Sequence, residues 1–209
     1  MKKMKRILTA ITTAAISAVS LCSMFSVSAA NTYDTYRLYF DVKANSGVQK
    51  YSIDMAFNYF LKPSGVTPGT LGTNIYGGGG GSAEGGRCCG YTYENTGDLT
   101  AGGILFTMQF YTAQTSFWDY VSRFNETTKN SAGQILSNRV NVSTILIGDV
   151  NQDGNVNSKD TTLLKNYLSG TANLTGDALR AADTNGDYIV NSEDRTILVQ
   201  YLANDIEHF

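Results

Sequence analysis

An antiparallel β-sandwich followed by a small α-helical domain of two loop-helix repeats is the fold class this sequence predicts. Three observations carry that reading. Up to Gly148 the chain is a series of short runs rich in Tyr, Phe, Val and Ile, broken by Gly, Asn and Ser. Beyond Gly148 it repeats itself at an offset of 34 residues. At the same point the hydrophobic period changes from two to i, i+3, i+4, the periods of a strand and of a helix.

Residues 1–30 are expected to be removed before folding. MKKMKR is a basic start, ILTAITTAAISAVSL an apolar stretch of small residues, and SVSAA a cleavage site after Ala29 or Ala30, which together read as a signal peptide. The alternative, a membrane anchor, is disfavoured because the apolar core is short for a bilayer, and no membrane insertion is expected elsewhere. Leu21 ahead of Cys22 spoils a lipid-attachment site. The expected organisation is therefore a leader (1–30), a sandwich (31–147) and a helical domain (148–209), exported from the cell. The leader holds four of the sixteen Lys and Arg and none of the eighteen Asp and Glu, leaving twelve against eighteen, a net −6. With no basic cluster in the remainder, no nucleic-acid partner is expected.

In the front half, TYRLYFDVKA, KYSIDMAF, GILFTMQFYT and RVNVSTILI read as strands. Tyr36, Leu38 and Phe40 alternate, as do Ile104, Phe106 and Met108, each set predicting a core-facing row. FWDYVSRFNETTKN, with the single tryptophan Trp118, is expected to be a short helical or looped cover. YGGGGGSAEGGRCCG is expected to be a loop, because successive glycines lose much backbone entropy on ordering and have nothing to pack. It lacks the spacing and the strand-to-helix context of a phosphate loop. Cys88 and Cys89 within it leave two readings open, a strained vicinal disulfide or two thiols.

In the back half, GDVNQDGNVNSKDTTLLKNYL aligns with ADTNGDYIVNSEDRTILVQYL. Asp149 falls on Asp183, Asn151 on Asn185, Asp153 on Asp187 and Asp160 on Asp194, while Leu164, Tyr167 and Leu168 fall on Leu198, Tyr201 and Leu202. Oxygen-bearing side chains at positions 1, 3, 5, 9 and 12 are what a twelve-residue calcium loop needs, because calcium takes six to eight oxygens in flexible geometry. Loop one would bind through Asp149, Asn151, Asp153, Asp160 and the carbonyl of Asn155, with Asn157 acting through water. Loop two would bind through Asp183, Asn185, Asp187, Asp194 and the carbonyl of Ile189, with Asn191 in the same indirect role. Two calcium ions are expected, and the all-oxygen set disfavours transition metals. Plain Asx turns that start helices are the other reading, and two loops in register argue against it. Position six is Gly154 in loop one but Tyr188 in loop two. A left-handed non-glycine residue there costs about 1–2 kcal/mol, so the second site is expected to bind more weakly.

VNVSTILIG before loop one is strand-like, so each repeat is a loop with an exiting helix and not a full EF-hand. Residues 148–204, with their doubled D-x-N-x-D…V-N-S-x-D motif, resemble a type I dockerin, the calcium-dependent module that fastens secreted proteins to cohesin domains of a cellulosome scaffoldin. The resemblance implies partner contacts at Ser158, Lys159, Lys165 and Asn166 in repeat one, and at Ser192, Glu193, Val199 and Gln200 in repeat two. Because the two sets differ in charge and polarity, one preferred binding orientation is expected.

SGVQKYSIDMAFN and AGGILFTMQFYT in turn resemble segments of a cohesin, the β-sandwich that receives dockerins, although the glycine and Cys-Cys insertion is foreign to that pattern. The resemblance implies a non-catalytic adaptor scaffoldin, with one plug and one receptor for a dockerin-bearing enzyme. Two other classes compete. A carbohydrate-binding module for plant polysaccharide would use some of the ten tyrosines between Asn31 and Gly148, with Trp118. A small glycosidase would need a carboxylate pair, and no spacing among Asp34, Asp41, Asp54, Glu84, Glu94, Asp98, Asp119 and Glu126 singles one out.

Overall fold

The structure is a computed structural model that describes residues 33–72, 74–81, 87–113, 117 and 121–209. The expected signal peptide with Cys22, and Glu84, Trp118 and Asp119, lie outside the described residues. Among the described residues eight strands form two four-stranded antiparallel sheets: β1 (Asp34–Val42), β2 (Lys50–Phe57), β3 (Lys62–Pro68), β4 (Ile75–Gly81), β5 (Arg87–Glu94), β6 (Gly103–Thr112), β7 (Val121–Lys129) and β8 (Val140–Leu146). One sheet has the order β3-β6-β1-β8, the other β4-β5-β2-β7. Three helices follow: α1 (Ser158–Leu168), α2 (Gly176–Ala182) and α3 (Ser192–Leu202). No helix among the described residues is long and apolar enough to cross a membrane.

Alternation places Leu38, Phe40, Tyr51, Ile53, Met55, Phe106, Met108 and Phe110 between the sheets, each at most 2% exposed. Phe40 and Phe106 stack with ring centroids 4.4 Å apart. The expected row Ile104, Phe106, Met108 holds for two of its members only. The β1–β6 register slips between Phe40 and Asp41, so that Asp41 pairs with Ile104. Leu105 is thereby buried in the sandwich core, and Ile104 packs in a second cluster on the other side of the sheet.

Two segments expected to lack strands are strands. The glycine run forms β4, an edge strand paired to β5 from Ile75↔Tyr93 to Gly81↔Arg87, and RCCG at the end of the same segment opens β5, which lies inside the sheet between β4 and β2. Glycine serves here through close approach: at Gly77, with φ +148°, a Cβ would stand 2.1 Å from the carbonyl oxygen of Gly90. The missing side chains let β4 lie against its neighbour, and the ladder bonds offset the entropy. VSRFNETTK forms β7 at the opposite edge, paired with β2. Its hydrophobic pattern is weak because an edge strand has one partner and few buried positions. β3 escaped notice for a related reason. Pro63 and Pro68 are tolerated because β3 is an edge strand, and its pairing is irregular between Pro63 and Gly65.

β1 is buried on both faces. Tyr36, Leu38 and Phe40 face the sandwich core, while Thr35, Arg37 and Tyr39 lie under the helical segment, with exposures of 0, 3 and 1%. Tyr39, Ile145 and Ile147 pack with Ala181, Tyr188 and Phe209. Residues Thr32–Phe209 form one compact unit. A sheet, a second sheet and a helical layer thus stack in that order, with the helical layer on β3-β6-β1-β8 alone.

Candidate metal centres and partner face

Each acidic loop is organised by its own side chains. In loop one, Asp149 accepts from the backbone N–H of Asp153 and Gly154 at 3.0 and 2.9 Å, and the amide oxygen of Asn151 accepts from Asp153 at 2.8 Å. Asp153 accepts from the N–H of Asn155 at 3.1 Å. In loop two, Asp183 accepts from Gly186 and Tyr188 at 2.8 and 3.1 Å, Asn185 from Asp187 at 3.0 Å, and Asp187 from Ile189 at 2.8 Å. The same residue types at the same spacing have built the same framework twice, as successive Asx turns would.

The last position of each loop has a second task. Asp160 and Asp194 are fully buried and are also the third residues of α1 and α3. Asp160 accepts from the N–H of Asn157 at 2.8 Å and of Asn151 at 2.9 Å. Asp194 accepts from Asn191 at 2.8 Å and from Thr184 at 2.9 Å. Asn157 and Asn191 reciprocate by accepting from Lys159 and Glu193, so each helix begins in a complete capping box. The spacing read for metal ligation therefore encodes a helix start as well, which the sequence reading did not draw out.

Positions four and six are left-handed in both loops: Gln152 (φ 60°) and Gly154 (φ 84°), then Gly186 (φ 79°) and Tyr188 (φ 67°). Each loop thus carries one glycine and one strained residue, in opposite order. The strain at Tyr188 is real, but Gln152 carries its equal, which removes strain as a reason for the second site to be the weaker. Tyr188 is also held from outside its loop, its hydroxyl donating to the carbonyl of Pro68 at 2.9 Å.

The donor chemistry fits calcium. Every candidate donor, Asp149, Asn151, Asp153, Asn155 and Asp160 in one loop and Asp183, Asn185, Asp187, Ile189 and Asp194 in the other, offers a hard oxygen. Among the described residues no three His, Cys, Asp or Glu side chains converge by themselves, so amide and carbonyl oxygens are an obligatory part of either set. Burial raises the Asp149 carboxyl above its ordinary value, with the Asp160 charge adding to it. Burial raises Asp183 too, against the lowering pull of Arg37. A bound cation would relieve both.

Each loop already faces one side-chain cation. Lys159 reaches Asp153 at 3.3 Å in loop one, from an exposed position. In loop two the cation comes from the sandwich: Arg37 lies 3.6 Å from the Asp183 carboxylate and donates to the carbonyls of Asp183 (2.8 Å) and Thr184 (3.3 Å). Gln109 accepts from the same guanidinium at 2.9 and 3.1 Å. Nearby, Arg180 of α2 pairs with Asp41 at 2.8 Å and lies over the Tyr39 ring. No pattern in the sequence marks Arg37, since a strand shows which residues share a face but not what covers it.

All eight positions expected to meet a partner, Ser158, Lys159, Lys165, Asn166, Ser192, Glu193, Val199 and Gln200, are exposed with the helical segment docked on the sandwich. Docking uses α2, loop two and the C-terminal residues. The outer face of β4-β5-β2-β7 is also uncovered and is polar: Ser52 bonds Thr92 at 2.9 Å, Lys50 pairs with Glu94 at 3.0 Å, and Tyr76 bonds Glu94. The exposed large aromatics among the described residues are Tyr59, Phe60 and Tyr76. Cys89 is a buried thiol facing the core, Cys88 faces out on the other side of β5, and the pair is not joined by a disulfide.

Residues 147–203 match the family profile of the dockerin type I domain. No curated protein matches the chain. Among solved structures, a non-cellulosomal cohesin from the archaeon Archaeoglobus fulgidus is similar at 11% identity and a TM-score of 0.35, over 51% of this chain and 75% of that one. The third cohesin ScaC of Acetivibrio cellulolyticus, solved in complex with the ScaB dockerin, is similar at 15% identity and a TM-score of 0.38, over 56% of this chain and 90% of that one.

Proposed function

We propose that this chain is an exported, non-catalytic adaptor of a cellulosome-type assembly. Its helical segment binds a cohesin domain of a scaffoldin when calcium fills both loops, and the free face of its sandwich receives the dockerin of an enzyme. The observation that carries the first part is the doubled loop framework, matched to the dockerin type I profile, with all eight partner positions open to solvent. Calcium would supply the charge that draws the three carboxylates of each loop toward one point. Asp149, Asp153 and Asp160 would hold one ion and Asp183, Asp187 and Asp194 the other, completed by Asn151, Asn185 and the carbonyls of Asn155 and Ile189.

The second part rests on which face is left open. The outer face of β3-β6-β1-β8 is taken by the chain's own helices, whereas the outer face of β4-β5-β2-β7 is polar among the described residues. A glycine edge and one exposed ring, Tyr76, suit a protein surface better than a sugar plane. A polysaccharide-binding module remains the second reading, favoured by the exposed pair Tyr59 and Phe60, whose rings lie 4.1 Å apart.

Pull-down of the full chain separates these. Capture by immobilised cohesins in calcium, lost in EDTA, is the expected result for the helical segment. Capture of labelled dockerins, with no retention on insoluble polysaccharide, is expected for the sandwich. The reverse pattern would overturn the adaptor. Lys159→Glu and Glu193→Lys test the orientation: one of the two alone is expected to abolish cohesin capture, and a need to combine them would mean two equivalent modes.

A further inference from the structure

We propose that Arg37 is a positioning residue of the second acidic loop, which makes the sandwich a structural part of that loop's metal site. Arg37 is 3% exposed, and its charge is compensated where it stands. Its guanidinium spans the entry to loop two, bonding the carbonyls of its first two residues and lying 3.6 Å from the Asp183 carboxylate. A Cβ on Gly186 would meet the guanidinium at 3.0–3.4 Å, so the plane of Arg37 rests against position four of the loop. This accounts for the exchanged glycines. Loop two keeps glycine at position four, under Arg37. Loop one carries the exposed Gln152 there.

The Asp183 carboxylate in turn organises the loop, through the N–H groups of Gly186 and Tyr188. Tyr188 then anchors to Pro68 of β3, beyond Arg37 on the same sheet. A fixed buried cation and a fixed far anchor hold loop two in its folded shape before any metal arrives. Loop one has only Lys159, exposed on its own helix, and depends on metal for its order. By linkage, the factor by which the sandwich contact favours metal binding at loop two is the factor by which bound metal favours that contact.

The metal aspect rests on the calcium reading of the loops, and the experiment keeps the two apart. Amide hydrogen exchange is followed on the full chain in calcium and after EDTA. After EDTA, Asp153 and Gly154 of loop one are expected to lose protection while Gly186 and Tyr188 of loop two retain it. Arg37→Met should then speed exchange of Gly186 and Tyr188 by about tenfold to a hundredfold, the worth of hydrogen bonds to a charged group, with Tyr51 and Tyr93 of the sandwich unchanged. Arg37→Lys, which keeps the charge without the fork, should restore part of the protection. If Arg37→Met unfolds the sandwich as well, Gln109→Leu carries the same test, since it removes the side chain that accepts from the guanidinium at 2.9 and 3.1 Å and leaves the loop itself unchanged. Equal loss in both loops of the parent chain, or loop-two protection indifferent to both substitutions, overturns the proposal. If neither loop responds to calcium, the metal reading falls, and the effect of Arg37 on loop two is still measured.

Discussion

Arg37 of β1 donates a 2.8 Å hydrogen bond to the carbonyl oxygen of Asp183, the first residue of the second acidic loop, across 146 residues of chain. That bond joins a residue of the sandwich to a candidate metal site. Burying an unpaired guanidinium would cost several kcal/mol, and this one is tolerated because its donors are matched. The two loops are consequently alike inside and unlike outside: the same Asx framework, one facing a cation from its own helix and the other a cation from the sheet.

Tyr188 and Gln152 carry equivalent backbone strain with different compensation. Gln152→Gly should stabilise the chain by about 0.5–1 kcal/mol, the strain of about 1–2 kcal/mol less the added freedom of glycine when unfolded. Tyr188→Gly should relieve the same strain but lose a half-buried ring and the bond to Pro68, for a net loss of about 1–2 kcal/mol. Denaturant midpoints of both variants at saturating calcium check this. A gain in stability from Tyr188→Gly would show that its anchoring contributes little.

Asp160 and Asp194 cap helices independently of any metal. Asp160→Ala or Asp194→Ala should lower stability by about 2–4 kcal/mol even in EDTA, through loss of a cap and buried N–H groups left unpaired. Asp153→Ala, at an exposed position, should cost little in EDTA and much more in calcium. Thermal unfolding of each variant under both conditions makes the comparison, and an Asp160→Ala deficit confined to calcium would refute the capping role.

Burial pushes the Cys89 thiol up to about 12, with the charges of Cys88 and Asp54 adding to it. At pH 8 its thiolate is then scarce, on the order of one part in ten thousand, and alkylation needs the thiolate. Iodoacetamide at pH 8 followed by peptide mapping should leave Cys89 unmodified in the native chain and modified after unfolding. Rapid native labelling of Cys89 would mean that β5 opens readily at its glycine-rich end.

The sandwich strands that carry the core were legible because their side chains alternate. The edge strands β3, β4 and β7 were not, because prolines, glycines and polar residues are allowed where only one side of a strand is paired, and the internal β5 was hidden because its first half, RCCG, continues the glycine-rich run. The loops were legible for the opposite reason: their frameworks are built within twelve residues, from side chains that bond the backbone two to ten positions away, so spacing alone specifies them. Residue order by itself thus determined the repeat, the capped helices, the oxygen donors and the sandwich class. The tertiary structure decided what no spacing records: that the helical segment lies on β3-β6-β1-β8, that Arg37 rests on Gly186, that Tyr188 reaches Pro68, and that β4-β5-β2-β7 stays open. Those contacts join residues more than a hundred positions apart, and their energy depends on which surfaces meet once each part has folded.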